Sequence, residues 1–300
     1  MTTIARYNDH GLSLIGLVDD GRLRPLPVPT IGAALATSRE DLRALVESAL
    51  RGPSQDAGGV ALLPPVDGLT EVWASGVTYA RSRDARREES VAQDVYSLVY
   101  EAERPELFFK CAAWRVVPDG EPLNVRSDSP LNVPEPELVL AVNAHAEIIG
   151  YAVGNDMSSR SIEGANPLYL PQAKIYDGAF ALSSGIRPAW ELDDDGPLDL
   201  AIDMQIERDG AVAWHGSTST LRLVRRLTEL VEHLFRCYSL PQGALLSTGT
   251  GIVPELDFTT GPGDKVRICI AGVGTLTNPI GSTGPPAARS LVTTTLERTD

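Results

Sequence analysis

Val133-Pro134-Glu135-Pro136-Glu137-Leu138-Val139-Leu140-Ala141-Val142 is followed by a polar break, Asn143-Ala144-His145-Ala146, and then by Glu147-Ile148-Ile149-Gly150-Tyr151-Ala152-Val153-Gly154-Asn155-Asp156. Two apolar runs of strand length around a short break predict a β-hairpin. Side chains two apart on a strand share a face, so Glu135 and Glu137 point the same way. With the turn centred on residues 144 and 145, Glu135 falls opposite Gly154, and Asp156 comes within about two residues of the glutamate pair. Three carboxylates in one place repel unless a cation or a proton neutralises them. An all-oxygen donor set favours a hard divalent ion, Mg²⁺ first, with Mn²⁺ or Ca²⁺ as alternatives. The spacing alone also accommodates three solvated carboxylates at a hairpin mouth.

Outward from the hairpin, the chain is strand-rich with few helices, which predicts an α+β, mainly β, fold. Residues 1–68 read as a small N-terminal unit. Within it Asp20-Gly21 signals a hairpin turn, Thr37-x-x-Glu40 resembles a capping box, and Leu42, Leu45, Val46, Ala49 and Leu50 follow at helical spacing. Pro64-Pro65 ends this unit, so a catalytic unit is expected over 69–284 and a Thr-rich tail over 285–300. In the larger unit, Val72–Val77 and Leu107–Phe109 read as strands, with a charged helical stretch from Arg81 between them. Leu200, Ile202, Met204 and Ile206 alternate toward a turn at Arg208-Asp209-Gly210. The stripe Leu223, Leu227, Leu230, Val231, Leu234 and Phe235 predicts an amphipathic helix, and Val266, Ile268 and Ile270 a late strand.

The 300 residues carry a formal charge of −14, which argues against a nucleic-acid or anionic-membrane surface, since either needs a basic patch. Cys111, Cys237 and Cys269 are odd in number and lack a Cys-x-x-Cys pair, so neither a disulfide framework nor a zinc knuckle is expected. The first residues lack the basic and apolar regions of a signal peptide, and the expected location is the cytoplasm.

Lys174 follows Asp156 by eighteen residues. An ammonium beside a bound cation is pushed by like-charge repulsion toward its neutral form, which can act as a base or, when charged, hold an anion. Lys110, after three apolar residues, is a second lysine in an unusual setting. Ser247-Thr248-Gly249-Thr250-Gly251 offers hydroxyls and close backbone N–H groups suited to a carboxylate or phosphate, but no lysine follows as a P-loop requires. The four histidines, His10, His145, His215 and His233, stand apart from these groups, so a Ser-His-Asp triad has little support.

Several ordered blocks point further. Gly76-Val77-Thr78-Tyr79, Phe108-Phe109-Lys110, Pro134-Glu135-Pro136-Glu137-Leu138, Gly150 to Ser158, Lys174, Thr248-Gly249-Thr250 and Gly274 to Pro279 resemble the fumarylacetoacetate hydrolase superfamily over roughly residues 70–284. The resemblance implies a mixed β-roll with a small N-terminal α/β domain. It also implies Mg²⁺ on Glu135, Glu137 and Asp156, a chelating 2-oxo acid substrate, Lys174 at the reacting centre, Thr248 on the substrate carboxylate, and a homodimer or homotetramer. Hydrolytic members follow Gly-x-Asn-Tyr with Asp-His and a glutamate that activate water. Here Thr78 replaces the asparagine, and Arg81-Ser82 and Ala85 stand where those groups would be. The blocks Tyr79–Ser90, Tyr100–Glu106 and Ile162–Lys174 resemble instead the branch that dehydrates 2-dehydro-3-deoxy-pentonates.

That chemistry needs no water nucleophile. Chelation of the 2-oxo group acidifies C3 by stabilising an enolate, a base takes a C3 proton, and an acid assists loss of the C4 hydroxyl. The expected roles are Lys174 as base or enolate stabiliser, Glu106 or Glu89 as the acid, and Arg81, Ser82, Lys110 and Thr248 as binders of the sugar acid. Two rivals remain at this level: a C–C hydrolase or decarboxylase of acylpyruvates or diketo-deoxy sugar acids, and a non-catalytic sugar-acid-binding protein.

Overall fold

The computed structural model describes residues 1–89, 93–192 and 197–284, without the side chains of 86–89, 93 and 94. The tail 285–300 and the side chain of Glu89 lie outside the described residues.

The elements that build the site begin with β1 (Thr3–Asp9) and β2 (Leu12–Asp19), then helix α1 (Arg39–Leu50). After β3 (Glu71–Gly76) come α2 (Ala80–Glu89), α3 (Gln93–Glu101), β4 (Glu106–Ala112) and β5 (Leu123–Val125). The central hairpin is β6 (Pro136–Val142) and β7 (Ile148–Asp156), followed by the short helices α4 (Arg160–Ala165) and α5 (Leu170–Lys174). The chain continues through β8 (Gly185–Pro188), β9 (Ala201–Arg208), β10 (Ala211–Ser219) and α6 (Leu227–Phe235). It closes with β11 (Ala244–Ser247), β12 (Lys265–Ile270) and β13 (Gly274–Ser282).

One large sheet runs in the order β2-β1-β8-β7-β6-β11-β3-β4, so the N-terminal strands join the central hairpin through β8. Only β11 and β3 pair in parallel along this path. A second sheet, β10-β9-β12-β13-β5, packs on one face of the first. The strand β6 is buried over its whole length. Its Leu138, Leu140 and Val142 enter the core shared with Ile202, Ile206, Val266 and Ile268 of the second sheet and Leu230 and Leu234 of α6. Its Val139 and Ala141 enter another core with Leu42 and Val46 of α1 and Ile4 and Leu17 of the N-terminal strands. Burying each Leu or Val side chain fully contributes roughly 1.5–3 kcal/mol, so both faces of β6 are anchored strongly.

Three local expectations are corrected. The N-cap of α1 is Ser38, whose hydroxyl accepts from the Asp41 N–H, while the Thr37 hydroxyl donates backward to the Ala34 carbonyl. The amphipathic helix begins at Leu227, because Thr220–Arg222 forms a 3₁₀ turn and Leu223 is extended. In the hairpin, Glu137 lies opposite Gly154 and Pro136 opposite Asn155, a register two residues from the expected one. The shift begins at an irregularity between Ala141 and Val142. It continues through the Asn143 side chain, whose carbonyl accepts from the His145 and Glu147 N–H groups and widens the turn.

Candidate metal centre

The corrected register brings the carboxylates closer together. Glu135, just before β6, receives the Asp156 N–H on its backbone carbonyl at 2.9 Å, so the two residues face each other where the hairpin opens. Oxygens of Glu135, Glu137 and Asp156 lie within 4.8 Å of one another, and the three residues are at most 3% exposed. Solvated carboxylates at a hairpin mouth are thereby excluded.

Three buried cations surround this cluster. The Lys174 ammonium, at the end of α5, donates to Glu135 Oε2 at 2.6 Å, Asp156 Oδ2 at 3.1 Å and Ser158 Oγ at 2.6 Å. Lys110, on the outermost strand β4, pairs with Asp156 Oδ1 and also donates to the carbonyls of Lys174 and Met157. Arg160, at the start of α4, donates to Glu135 Oε1 at 2.5 Å and lies 4.0 Å from Glu163. The result is a buried chain of alternating charge: Glu163, Arg160, Glu135, Lys174, Asp156, Lys110. Burial pushes the Lys110 ammonium toward its neutral form; the Asp156 carboxylate opposes this and Lys174 adds to it.

Glu137 stands outside that chain. Its Oε2 accepts from the Ser247 hydroxyl at 2.5 Å and from the Gly249 N–H at 2.8 Å, at the end of β11. Burial, then the charges of Asp156 and Glu135, push its carboxyl up to about 8, against the opposing effects of Lys174 and the Ser247 hydrogen bond. The Ser247–Gly251 loop was expected to hold a carboxylate, and the one it holds here belongs to the protein. Gly249 is required for this (φ +86°), since an added Cβ would sit 2.1 Å from the Thr78 hydroxyl.

The other expected site residues divide. Thr248 is buried beside Glu137, its hydroxyl donating to the Leu138 carbonyl at 2.9 Å. Glu106 opens β4 opposite Gly76, and its carboxylate covers that glycine so closely that an added Cβ would meet Oε2 at 2.0 Å. The Ser82 hydroxyl is engaged with Tyr79, donating to its carbonyl and accepting from its N–H. Arg81 reaches toward the Val253 carbonyl at 3.4 Å. All three Lys110 partners named above are protein groups.

Sequence reasoning missed Arg160, Glu163 and two phenols. Tyr79 and Tyr176 have buried hydroxyls with no hydrogen-bond partner among the described residues. Burial first, then Glu137 for Tyr79 and Asp156 for Tyr176, hold both firmly in the protonated form. Charged residues so soon after Asp156, in the otherwise uncharged run Met157–Ala165, were the available signal for Arg160 and Glu163.

The residues fit a divalent cation. The donors are carboxylate oxygens, as hard cations prefer. Four buried carboxylates (Glu135, Glu137, Asp156, Glu163) face three buried cations (Lys110, Lys174, Arg160), so one negative charge is left for an ion to neutralise once Glu137 is ionised.

The chain belongs to the fumarylacetoacetate hydrolase family: the family model for the C-terminal domain, "Fumarylacetoacetate (FAA) hydrolase C-terminal", matches residues 72–281. Among its relatives in that family are pentonate dehydratases. It is 48% identical over 216 residues to the probable 2-keto-3-deoxyxylonate dehydratase of Haloferax volcanii, covering 72% of this chain and 73% of that protein. It is 40% identical over 225 residues to the 2-dehydro-3-deoxy-D-arabinonate dehydratase of Saccharolobus solfataricus, covering 74% of each. Among solved structures, 2-keto-3-deoxy-D-arabinonate dehydratase complexed with magnesium and 2,5-dioxopentanoate matches with a TM-score of 0.78 and 32% identity, over 95% of this chain and 100% of that one. The fold expected from the sequence, a mixed β-roll with few helices, is the fold these structures share.

Proposed function

We propose that this protein is a Mg²⁺-dependent carbon–oxygen lyase that dehydrates a 2-keto-3-deoxy-pentonate to 2,5-dioxopentanoate. The observation that carries the reading is a buried Glu135–Glu137–Asp156 triad bonded to Lys174, in a chain whose relatives bear the names of such dehydratases. A divalent ion held by the triad supplies the Lewis acidity that makes C3 of a 2-oxo acid acidic.

Lys174 is the group that takes the C3 proton, and Glu106 supplies a proton to the departing C4 hydroxyl, with Glu89 as the alternative acid. Water leaves and a C3–C4 double bond forms; a C5 proton then passes to C3, leaving a C4–C5 enol, whose hydroxyl proton passes to C4 to give the C5 aldehyde. Thr248 and Arg81 bind the sugar acid, the first through its hydroxyl oxygen and the second through its guanidinium. In our reading Lys110 and Ser82 serve the substrate indirectly: Lys110 fixes Asp156, and Ser82 secures the turn at Tyr79. Burial excludes bulk water from Lys174 and the triad, which favours elimination over hydrolysis.

Among the described residues no helix is long and apolar enough to cross a membrane. The family resemblance supports a cytoplasmic homodimer or homotetramer, which sedimentation analysis checks. The activity test is direct: purified protein with Mg²⁺ and 2-keto-3-deoxypentonate should yield an aldehyde without C–C cleavage. Release of pyruvate from an acylpyruvate, with no aldehyde from the pentonate, refutes the lyase reading.

A further inference from the structure

Each oxygen of Glu135 and of Asp156 already has a cationic partner. Arg160 holds Glu135 Oε1 and Lys174 holds Oε2; Lys110 holds Asp156 Oδ1 and Lys174 holds Oδ2. A divalent ion gripped by the triad therefore has to share or take over oxygens that a side-chain cation occupies. Lys174 touches two of the three ligands, Glu135 and Asp156, so its ammonium lies between them. Arg160 and Lys110 each touch one ligand from the outside and are held elsewhere, Arg160 beside Glu163 and Lys110 by two backbone carbonyls.

We infer that Lys174 is a built-in placeholder for the divalent ion, bridging Glu135 and Asp156 in the metal-free protein and released from them when the ion binds. The inference rests on the metal-dependent reading above and deepens it. Lys174 has somewhere to go. The Ser158 hydroxyl accepts from the ammonium at 2.6 Å and the Phe108 ring presents its face 5.9 Å away, so two partners remain when the carboxylates are given up. Release turns Lys174 from a counter-ion into a group that can meet a substrate. Loading thus has an order: metal first, sugar acid second. The placeholder also explains how three carboxylates stay together without metal, since two of them share one ammonium. Composition supports a dedicated role, because the chain has three lysines, Lys110, Lys174 and Lys265, against 23 arginines among its 26 basic residues, and two of the three are buried here.

The test uses metal-free protein and no sugar acid. Calorimetric titration with Mg²⁺ should show Lys174→Met binding more tightly than wild type, on the order of tenfold or more, because a competing positive charge is gone. Equal or weaker binding by the folded variant overturns the inference. Should Lys174→Met not fold, the wild-type protein labelled at the lysine ε-carbons decides. It has three signals, of which exposed Lys265 is a reference and Lys174 is assigned by its displacement in Ser158→Ala. The Lys174 signal should move as Mg²⁺ saturates while Lys265 stays, and an unmoved Lys174 signal overturns the inference. Neither measurement involves turnover, so a failure to dehydrate the pentonate and a failure of Lys174 to move are separate results.

Discussion

Glu137 ties Mg²⁺ binding to pH in a way that can be counted in protons. Its carboxyl is pushed up to about 8 by burial and by its two acidic neighbours, so near neutrality the metal-free protein holds a proton there. A divalent ion needs the ionised form and must expel that proton. The expelled fraction is about 0.9 proton at pH 7, about 0.5 at pH 8 and about 0.1 at pH 9, and the apparent Mg²⁺ affinity should rise roughly tenfold from pH 7 to pH 9. The sign for stability is opposite. A carboxyl whose folded value lies above its unfolded value of 4.5 gives the metal-free fold an advantage at low pH. That advantage is lost as pH rises from about 4.5 to about 8. The metal-free melting temperature should therefore fall across that interval, and Mg²⁺ should restore it most at the alkaline end. Calorimetry in two buffers of different ionisation enthalpy counts the protons directly. Glu137→Gln, which keeps an acceptor for Ser247 and Gly249, should flatten the metal-free melting profile and abolish Mg²⁺ binding. Proton release near zero at pH 7 with wild-type protein would refute the electrostatic account of this site.

Three other substitutions probe the surroundings. Gly76→Ala places a methyl where the Glu106 carboxylate lies, 2.0 Å from Oε2. Since a flexible side-chain end can move, melting should change little while kcat falls about tenfold or more if Glu106 is the acid. Gly249→Ala combines φ +86° with a 2.1 Å approach to the Thr78 hydroxyl, so it should cost about 2–3 kcal/mol in denaturant melts and weaken the hold on Glu137. Arg160→Met leaves buried Glu135 and Glu163 without their shared cation, and a loss of about 3–5 kcal/mol in metal-free stability is expected, partly recovered on adding Mg²⁺.

The hairpin was legible because two apolar runs around one polar break have few other interpretations, and the helices and late strands followed from their periodicity. Its register was less legible. The Asn143 side chain and the irregularity after Ala141 depend on three-dimensional packing, which a count outward from the turn does not contain. The grouping of the three carboxylates survived that slip because a two-residue shift keeps side chains on the same face. Lys174 was legible as a candidate from its place eighteen residues after Asp156, and the rarity of lysine in an arginine-rich chain was a further sign that guanidinium would not serve there. Ser82 shows the opposite case. A hydroxyl in a variant motif suggested substrate contact, and the fold engages it with the backbone of Tyr79.

A strand with no watery side has no slack. Because Val139 and Ala141 are seated in one interior while Leu138, Leu140 and Val142 are seated in another, sliding β6 by a single residue would unseat both at once. The separation between Glu137 and its acidic neighbours is thus guarded by the whole molecule's cooperativity. Gentle heating or mild denaturant should leave the ligand geometry intact until the entire fold gives way.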